Sequence, residues 1–436
     1  MDVLFLSAEE QNRGSNFGHF QTKSMRSDVV IGLDVGTTKI CVVAGSKTTK
    51  GLKVLTIGSS ESRGLKKGIV VDAEDTTKSI VMALKEAEDR GRLKIDSACV
   101  GIAGGHIKSF NGYSVLEIRE REITENDIER LIDMAAVAYV PIDREVLQII
   151  PSFSIDGVNG IIDPLGKKGK RLEAKVHIIT GAITPVQNLI RCCEEAGVRV
   201  ADIVLEPVAS AEAVLSKEEK DMGTLMIDLG GGTTDIALFR DGALRHTASL
   251  AIGGNHITND IATGLDLTVD EAEKVKKAYG LVGTCDEIDI RGKVKQMSNL
   301  LYEIVYLRCE ELFSLIKKEI VTFSGYKNRE KLPPYIKRVV LTGGTSLLKG
   351  IDRVAEKTLG RQVRIGIPYD VTDRDLKNPI YSTGLGLVKL GLKSGDTDMR
   401  KVSVKGNWNK EASSFLIKPA NVIEKMKDWV TGFLNK

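Results

Sequence analysis

The sequence has few of the residues that build disulfide frameworks or metal centres. It contains six cysteines and five histidines in 436 residues. The cysteines are Cys41, Cys99, Cys192, Cys193, Cys285 and Cys309. They form no CxxC pair and most lie in apolar runs, while the histidines show no ligand-like spacing. This pattern favours buried thiols in a reducing cytoplasm over disulfides or a cysteine-based metal site.

The chain also lacks a long apolar run and a strong charge of one sign. No stretch is long enough to span a bilayer, and a net charge of +3 is too small to indicate nucleic-acid binding by itself. The apolar patch Val3–Leu6 is too short for a signal peptide. We expect residues 1–28 to be disordered, with Met25 as a candidate native start. The composition, 42% hydrophobic and 28% charged, is typical of a globular protein with two or more cores.

One pattern occurs twice in the chain. Residues Ile31–Val42 read IGLDVGTTKICV and residues Ile227–Leu238 read IDLGGGTTDIAL. In each copy an apolar strand ends in an aspartate, followed by glycine, paired threonines and a second apolar strand. A duplicated strand-turn-strand with an acidic tip predicts two similar lobes that face each other across a cleft. The ligand that suits two such turns is a nucleotide polyphosphate with its metal ion.

The residue types in these turns fit phosphate chemistry. Glycine lets the backbone approach a phosphate and point N–H groups at it, and short hydroxyls donate to phosphate oxygens. Asp34 and Asp228 would repel a bare phosphate, so we predict that Mg²⁺ and its water shell lie between them and the phosphates. Either turn alone is as well explained as an ordinary Gly-Thr hairpin, but two copies favour a phosphate clamp. The predicted phosphate-binding residues are Gly36, Thr37, Thr38, Lys39, Gly230, Gly231, Gly232, Thr233 and Thr234.

A third segment, Val339–Gly350, reads VVLTGGTSLLKG and predicts a buried strand, a Gly-Gly turn and a helix start. Gly343 and Gly344 would let a base or ribose lie against the backbone, and Thr345 or Ser346 would cap the helix. Alone this is a generic strand-turn-helix unit. In this order after two phosphate turns, it resembles the adenosine motif of the actin, Hsp70 and sugar kinase superfamily.

The same superfamily resemblance identifies two connecting helices, Leu205–Ala213 (LEPVASAEA) and Pro379–Val388 (PIYSTGLGLV). Glu206 lies at the mouth of the first, where actin-like ATPases place a group that orients the attacking water. A carboxylate there could act as a base. Each lobe is predicted to begin with a strand meander, at residues 29–33, 40–44 and 53–57 in the first lobe and at 224–229, 235–239 and 243–252 in the second. Strands alternate with helices, which predicts an α/β fold with a mostly parallel sheet in each lobe. Between residues 97 and 179 the pattern changes to a small α+β insert, with Gly157–Arg171 as an exposed loop.

Further segments resemble the FtsA family of bacterial cell-division proteins, over roughly residues 29–392. They are SRGLKKGIVVD (Ser62–Asp72), GIAGGHIKS (Gly101–Ser109), EAKVHIIT (Glu173–Thr180), GALRHT (Gly242–Thr247), GGNHITNDIA (Gly253–Ala262) and VRIGIP (Val363–Pro368). The resemblance implies an actin-like ATPase fold of four subdomains, in which the insert replaces the usual actin subdomain and lies on the opposite side. The chain is predicted to begin with an extension, residues 1–28. The first lobe comprises residues 29–96 and 180–218, completed by 373–392, and the insert comprises residues 97–179. The second lobe has its core at 219–256 and 332–372 and its helical subdomain at 257–331, and it is followed by a linker at 393–420 and an amphipathic helix at 421–436.

The family resemblance also refines the nucleotide site. Ala272–Lys276 (AEKVK) is similar to a helix that reaches the ribose and base in these proteins, and Glu273 and Lys276 share one helical face. The alternative for this pair is a surface ion pair on an exposed helix. Because FtsA-like proteins are associated more with holding ATP than with turnover, we predict tight Mg–ATP binding and at most slow hydrolysis.

The last residues, Asn421–Lys436, read NVIEKMKDWVTGFLNK and predict an amphipathic helix after a polar linker. A helix docked on its own core is the alternative, but the linker, Trp429 and Phe433 favour an in-plane membrane helix. FtsA-like proteins end in such a helix, which implies a peripheral location on the cytoplasmic face of the cell membrane at the division site, with an anionic lipid surface as partner. The predicted membrane-facing residues are Ile423, Met426, Trp429, Val430, Phe433 and Leu434.

The family resemblance implies protein partners as well. FtsA-like proteins polymerise, recruit other division proteins, and bind the C-terminal peptide of the tubulin-like FtsZ through the helical subdomain. Arg308 matches a family position linked to this contact, and Lys293 and Lys295 add nearby positive charge that would steer an acidic peptide. The alternative is a solvated basic face. Other functions for the whole chain are a small-molecule kinase, a chaperone, a pilus-assembly homologue or an MreB-type filament protein.

Overall fold

The computed structural model describes residues 29–136, 141–161, 163–281, 297–328 and 330–396. Several predictions lie outside these described residues. They are the N-terminal extension, Cys285, Lys293, Lys295, most of the linker and the terminal amphipathic helix with its six membrane-facing residues.

The first lobe begins with a three-stranded meander, followed by a small hairpin, a helix and a fourth sheet strand. The elements are β1 (Val29–Val35), β2 (Lys39–Thr48), β3 (Gly51–Glu61), β4 (Leu65–Lys66), β5 (Ile69–Val70), α1 (Ala73–Gly91) and β6 (Ser97–Ile102). Asp72 caps α1 by accepting a hydrogen bond from the Asp75 N–H. The buried face of α1, which includes Ile80, Ala83 and Ala87, packs against the sheet.

The insert is an antiparallel sheet covered by one helix. Its elements are β7 (Ile107–Glu117), α2 (Glu125–Ala136), β8 (Arg144–Ile155), β9 (Val158–Ile161) and β10 (Arg171–Ala182), with strand order β7-β10-β8-β9. The prediction that Gly157–Arg171 is entirely loop is wrong, because β9 pairs with β8. Asp156 and Gly157 both have positive φ angles of 49° and 84° and form the tight turn between the two strands.

The chain then returns to the first lobe through α3 (Ile183–Glu195), β11 (Arg199–Leu205), α4 (Glu206–Val214) and α5 (Lys217–Met222). The first-lobe sheet has the order β11-β6-β1-β2-β3. β1, β2 and β3 are antiparallel, whereas β6 pairs parallel with both β1 and β11. Thus β1 is central in this sheet, and its C-terminal end carries Asp34.

The second lobe repeats this plan with a larger helical region. Its elements are β12 (Thr224–Leu229), β13 (Thr234–Arg240), β14 (Ala243–Leu250), α6 (Gly254–Leu265), α7 (Val269–Tyr279), α8 (Met297–Ser324), β15 (Arg338–Thr342), α9 (Ile351–Leu359) and β16 (Gln362–Ile365), followed by α10 (Ser382–Asp396). The sheet order is β14-β13-β12-β15-β16, with an antiparallel meander and two parallel steps. This is the topology of the first-lobe sheet, so the predicted duplication is confirmed.

The prediction of mostly parallel sheets is wrong, because half of the strand pairs in each sheet are antiparallel. The physical reason is the length of the connections. Four residues, Gly36–Lys39, lie between the paired residues Val35 and Ile40. So short a connection can join only antiparallel neighbours, since a parallel crossover needs a dozen or more residues.

Two helices lie between the lobes. α10 packs against α4 and against β1 and β2, and Leu387 of α10 is buried with Val204 and Ala209. The insert also contacts the second lobe, where the Ser109 hydroxyl on β7 donates to the Thr247 carbonyl on β14 at 2.9 Å. Within the described ranges, none of the helices has both the length and the apolar character needed to cross a membrane.

Candidate functional site

The two glycine-rich turns lie directly against each other. A Cβ atom placed on Gly231 would overlap the Thr38 hydroxyl, and one on Gly232 would overlap the Thr37 side chain. Only glycine therefore permits this approach of the second turn to the first. Because β1 and β12 are central strands of their sheets, the contact brings the ends of both sheets, and the aspartates there, to one place.

Strand register shows which residues of the two turns are equivalent. Val35 pairs with Ile40 in the first hairpin, and Leu229 pairs with Thr234 in the second. Both turns therefore have four residues, and by register Thr37 and Thr38 match Gly231 and Gly232. The paired threonines, which look equivalent in the sequence, occupy different places in the two hairpins.

This difference corrects part of the predicted phosphate site. The Thr234 hydroxyl is buried and donates to the Ile252 carbonyl at 2.7 Å. Its hydrogen is therefore already used, which contradicts the prediction that Thr234 donates to phosphate. The Thr233 hydroxyl likewise donates to Asp235 at 3.0 Å. In the second turn, we therefore expect the backbone N–H groups of Gly231 and Gly232, rather than the two hydroxyls, to serve as phosphate donors.

The first turn keeps its hydroxyls available. Thr38 is exposed, and the Thr37 hydroxyl accepts a hydrogen bond from the Gly68 N–H at 3.2 Å. Thr37 can therefore still donate its own hydrogen to a phosphate oxygen. Lys39 extends to the start of the second connecting segment, Pro379–Val388. There its Nζ donates to the Ile380 carbonyl at 3.2 Å and lies 4.9 Å from the centre of the Tyr381 ring.

Four carboxylates converge behind the turns. Asp34 and Asp228 lie at the ends of β1 and β12, and Glu206 is the first residue of α4. The fourth, Asp235, was not predicted as a site residue. It lies on β13 opposite Asp228 in the strand register and is 2% exposed. The signal in the sequence was an aspartate inside the otherwise apolar run after the threonines, which is unusual for a buried strand.

Burial raises the pKa of all four carboxyl groups. It raises the pKa of Asp34 to about 7; the positive charge of Lys39 lowers this pKa, and the negative charge of Asp228 raises it further. It raises the pKa of Asp235 to about 7, again with a contribution from Asp228. The pKa of Glu206 lies well above its ordinary value because of burial and then the charges of Asp34 and Asp235. The pKa of Asp228 is raised less, since two hydroxyls oppose the effect of burial. The site therefore favours an added cation.

The donor set fits hydrated Mg²⁺. Within the described ranges, no group of three or more His, Cys, Asp or Glu side chains is placed to hold a metal ion directly. Mg²⁺ commonly keeps several waters and takes its remaining ligands from carboxylates and phosphates. Asp34 and Asp228 would therefore hold it through water, and the bound ion would supply positive charge that neutralises the phosphates and the carboxylates.

The predicted adenosine turn adjoins the phosphate turns. Gly343 has a φ of 83°, and a Cβ there would overlap the Asp228 carboxylate. Gly344 is exposed, and the nearest atom to a Cβ placed on it would be the Ile380 Cγ2 at 3.9 Å, so a flat group has room to stack there. The Thr345 hydroxyl donates to the Gly230 carbonyl at 2.9 Å and ties this turn to the second phosphate turn.

The predicted cap after this turn is wrong. α9 begins at Ile351, after a 3₁₀ turn over Gly344–Leu347, and its N-cap residue is Gly350. The Thr345 hydroxyl therefore serves the Gly230 carbonyl, and the Ser346 hydroxyl donates to the Gly343 carbonyl at 2.7 Å. These two hydroxyls stabilise the turn itself and leave the helix N–H groups uncapped by a side chain.

Glu273 and Lys276 form an ion pair of 2.6 Å, but the pair is not a surface feature because Lys276 is 8% exposed. The Lys276 ammonium also donates to the Gly254 carbonyl at 3.1 Å and to the Thr258 hydroxyl at 2.8 Å. A Cβ on Gly254 would lie 3.4 Å from Lys276 Nζ and would overlap the Thr345 hydroxyl. α7 and the adenosine turn thus meet at the start of α6.

Arg308 lies on α8 and is already paired within the chain. It donates to both carboxylate oxygens of Asp260 on α6 and, at 2.5 Å, to Glu311. These hydrogen bonds, the one to Asp260 above all, raise the pKa of the guanidinium. Any acidic ligand at this position has to compete with Asp260 and Glu311.

The raised carboxyl pKa values predict a pH effect on the nucleotide-free protein. Between about pH 4 and pH 7 the folded protein holds protons on Asp235 that the unfolded chain has released, so this residue makes folding weaker as pH rises. An Asp235→Asn variant cannot titrate there. We expect its free energy of unfolding to rise relative to wild type by roughly 2 kcal/mol between pH 5 and pH 8.

Urea unfolding of both proteins at each pH measures this difference. The half-buried His106 and the buried His177, whose pKa values desolvation lowers to about 4 and about 3, act in the opposite direction, but they are common to both proteins and cancel. A difference that stays constant with pH would show that Asp235 titrates normally.

Comparison with known proteins adds an independent result. A family model described as "Cell division protein FtsA" matches residues 225–386, and one described as "SHS2 domain inserted in FTSA" matches residues 104–180. The chain is 42% identical over 419 residues to the cell division protein FtsA of Pseudomonas aeruginosa, covering 93% of this chain and 98% of that protein. It is 31% identical over 416 residues to the FtsA of Escherichia coli K12, covering 91% and 99%.

Solved structures show the same fold at low identity. The type IV pilus biogenesis complex PilM–PilN aligns with a TM-score of 0.60 at 18% identity, covering 83% of this chain and 98% of that chain. MreB 5 of Spiroplasma citri bound to AMPPNP aligns with a TM-score of 0.50 at 17% identity, covering 84% and 97%. The architecture is therefore that of the actin-like proteins.

Proposed function

Because the chain belongs to the FtsA family of cell-division proteins, we propose that it binds Mg–ATP between its lobes, polymerises, and tethers FtsZ to the membrane at the division site. It would also help to recruit later division proteins. The bound nucleotide would stabilise the closed arrangement of the lobes and so favour self-assembly. The terminal amphipathic helix would hold the filament on the cytoplasmic face of the cell membrane.

The observation that carries nucleotide binding is the meeting of two glycine turns from opposite lobes beside a cluster of four carboxylates, of which Asp228 and Asp235 are buried. A single phosphate needs one such turn, whereas a polyphosphate can contact both. The carboxylates require a counter-charge that Lys39 supplies only in part for Asp34. A divalent cation between the carboxylates and the phosphates supplies the remainder.

Glu206 is the residue we propose for water activation. Without a cation, burial and the neighbouring carboxylates hold its pKa well above the ordinary value. A bound divalent cation would favour the ionised form, which can accept a proton from water. Glu206 lies beside Gly101, where a Cβ would come within 3.1 Å of its Cγ. We keep the expectation of slow hydrolysis at most, below about 1 s⁻¹, the low end for working enzymes.

We propose that the FtsZ peptide contacts Arg308. Lys293 and Lys295, which lie outside the described residues, are proposed as further contacts from the sequence alone. Because Arg308 is already paired with Asp260 and Glu311, we propose that it binds the peptide by exchanging one of these partners. An acidic peptide would replace one intramolecular carboxylate on the guanidinium, which keeps its remaining partner. This exchange lowers the net gain in binding energy, so affinity would be moderate and filament formation would raise it through multivalency.

Electron microscopy on a lipid monolayer tests the proposed function. With ATP and Mg²⁺, we expect filaments that lie on a monolayer containing anionic lipid. Without nucleotide we expect few or none. A small-molecule kinase, the alternative for this fold, would remain soluble and monomeric while it consumed ATP, and that result would overturn the proposal.

The same monolayers test the partner. A fluorescent FtsZ C-terminal peptide should be retained by wild-type filaments and lost with an Arg308→Glu variant. Lys85→Glu, an equal change of charge on the exposed face of α1, serves as the control. Equal retention by Arg308→Glu and Lys85→Glu would remove Arg308 from the proposed contact.

A further inference from the structure

The two predicted Mg²⁺-facing aspartates are held in different ways. Asp228 is 7% exposed, and its Oδ2 accepts hydrogen bonds from the Ser210 hydroxyl at 2.5 Å and the Thr383 hydroxyl at 3.4 Å. Asp34 is less buried, and the neighbouring group that lowers its pKa is the positively charged Lys39 rather than a hydroxyl. Asp228 is thus the aspartate whose orientation is determined by neighbouring hydroxyls.

Both oxygens of Asp228 are constrained. The hydroxyls of Ser210 and Thr383 lie 3.0 Å apart and converge on Oδ2. On the other side, a Cβ on Gly343 would overlap Oδ1, so the backbone of the adenosine turn lies against this oxygen. The carboxylate therefore has little freedom to rotate, and both of its hydrogen bonds from side chains are made to Oδ2.

The two hydroxyls come from the helices that connect the lobes. Ser210 lies on α4 and Thr383 on α10. These helices cross in backbone contact, because a Cβ on Gly386 of α10 would overlap the Ala209 carbonyl of α4. The neighbouring Ser382 hydroxyl lies 2.7 Å from the Thr342 hydroxyl on β15, the strand residue paired with Asp228. The crossing is therefore connected to the cleft by short polar contacts.

We propose that Ser210 and Thr383 are positioning residues that orient the Asp228 carboxylate toward hydrated Mg²⁺, and that they link Mg–nucleotide occupancy to the crossing of α4 and α10. The inference rests on the proposed Mg–ATP function. When both hydroxyls donate to Oδ2, Oδ1 faces the cleft. When they are removed, the carboxylate can turn and Oδ2 is left without donors. Opening of the lobes would move the two donors relative to each other and loosen the same carboxylate.

The test measures how ATP affinity depends on Mg²⁺ concentration, with a fluorescent ATP analogue and full-length protein. In Ser210→Ala/Thr383→Val, we expect the Mg²⁺ concentration that gives half of the maximal increase in ATP affinity to rise about tenfold. Removal of the hydrogen-bond partners of a metal ligand typically weakens metal affinity by this much. Affinity in EDTA should stay within about twofold of wild type. Thr383→Ser, which keeps the hydroxyl, should retain the wild-type Mg²⁺ dependence.

Two matched controls remove buried hydroxyls elsewhere. Thr56→Val and Ser114→Ala each delete a hydrogen bond to a backbone carbonyl, at 2.9 Å and 2.6 Å respectively, and should leave the Mg²⁺ dependence unchanged. Circular dichroism establishes folding first, and if the double variant does not fold, Ser210→Ala alone carries the test.

Three outcomes are informative. An unchanged Mg²⁺ midpoint in the folded variant would overturn the inference. An equal loss of affinity with Mg²⁺ and with EDTA would also overturn it, because it would show that the hydroxyls only support the pocket. If wild-type protein bound no nucleotide even with Mg²⁺, the proposed function itself would fail, and that result is seen without any variant.

Discussion

Replacing Asp34 by Asn should weaken Mg–ATP binding by roughly 100-fold while the protein remains folded. Asp34 ends β1 at the contact between the two glycine turns, where its carboxylate would hold a water of the Mg²⁺ shell. Asparagine keeps the size of the side chain but loses its negative charge. Affinity for ATP in EDTA should change little or rise, since a repulsive charge near the phosphates has been removed.

The expected loss of Mg–ATP affinity in Asp34→Asn should not come from unfolding of the variant. Burial raises the pKa of Asp34 to about 7, so above that pH the ionised carboxylate lowers the stability of the nucleotide-free folded protein relative to the unfolded chain. The Asp34→Asn variant should therefore be as stable as wild type at pH 8, or more stable. Asp89→Asn, an exposed carboxylate on α1, is the control and should bind Mg–ATP normally. If Asp34→Asn bound Mg–ATP like wild type, the metal would have to lie elsewhere.

Removal of residues 421–436 should abolish sedimentation with anionic vesicles. These residues lie outside the described part of the chain, so the expectation rests on their sequence pattern. Seven apolar residues of this segment fall on one side of a helical wheel, with Trp429 and Phe433 among them. A single helix of this kind binds reversibly, so the assay should be run with ATP, which would let filaments multiply the contacts.

Two point variants distinguish insertion of the apolar side from a general charge effect. Trp429→Glu places a negative charge on the predicted apolar side, whereas Thr431→Glu places the same charge on the polar side. We expect Trp429→Glu to reduce the sedimented fraction nearly to background and Thr431→Glu to reduce it only modestly. Continued sedimentation of the truncated chain would place the anchor in another part of the protein.

The features that the sequence predicted well are local. Each phosphate turn lies within a single hairpin, so its glycines, its aspartate and its two apolar strands appear as one short run. The duplication of this run was enough to predict two equivalent lobes, which the matching sheet orders confirm. α4, with Glu206 at its first turn, was predicted from the superfamily resemblance of the segment Leu205–Ala213.

Most of the features that were missed depend on contacts between different elements of the chain, and only Asp235 lies in the same hairpin as its neighbour Asp228. Asp235 joins the carboxylate cluster because of strand register, and the Thr234 hydroxyl is used by Ile252, 18 residues away. Arg308 is paired with Asp260, 48 residues away. The Ser210 and Thr383 hydroxyls meet across 173 positions. No periodicity within one element can reveal such pairs, because they are determined by tertiary packing, within the second lobe for Thr234 and Arg308 and between the connecting helices for Ser210 and Thr383.

Sheet direction shows the same limit. The predicted strand meander at the start of each lobe is confirmed, but the mostly parallel sheets that alternation of strands and helices favours are not, since the meander supplies half of the strand pairs in each sheet. The short turns that we predict to bind phosphate are themselves the reason, since a four-residue connection forces its strands to be antiparallel. The motif that predicted the ligand therefore also contained the information on strand direction.

Isothermal titration calorimetry of the wild-type protein tests the shared nucleotide site most directly. ATP is titrated with Mg²⁺ and, separately, with EDTA. If both acidic turns hold one Mg–triphosphate, the Mg²⁺ titration should show binding of one nucleotide per chain, and EDTA should weaken it strongly. Absence of binding heat with Mg–ATP over a range of temperatures, or the same affinity in EDTA, would contradict a shared Mg–nucleotide site between the lobes.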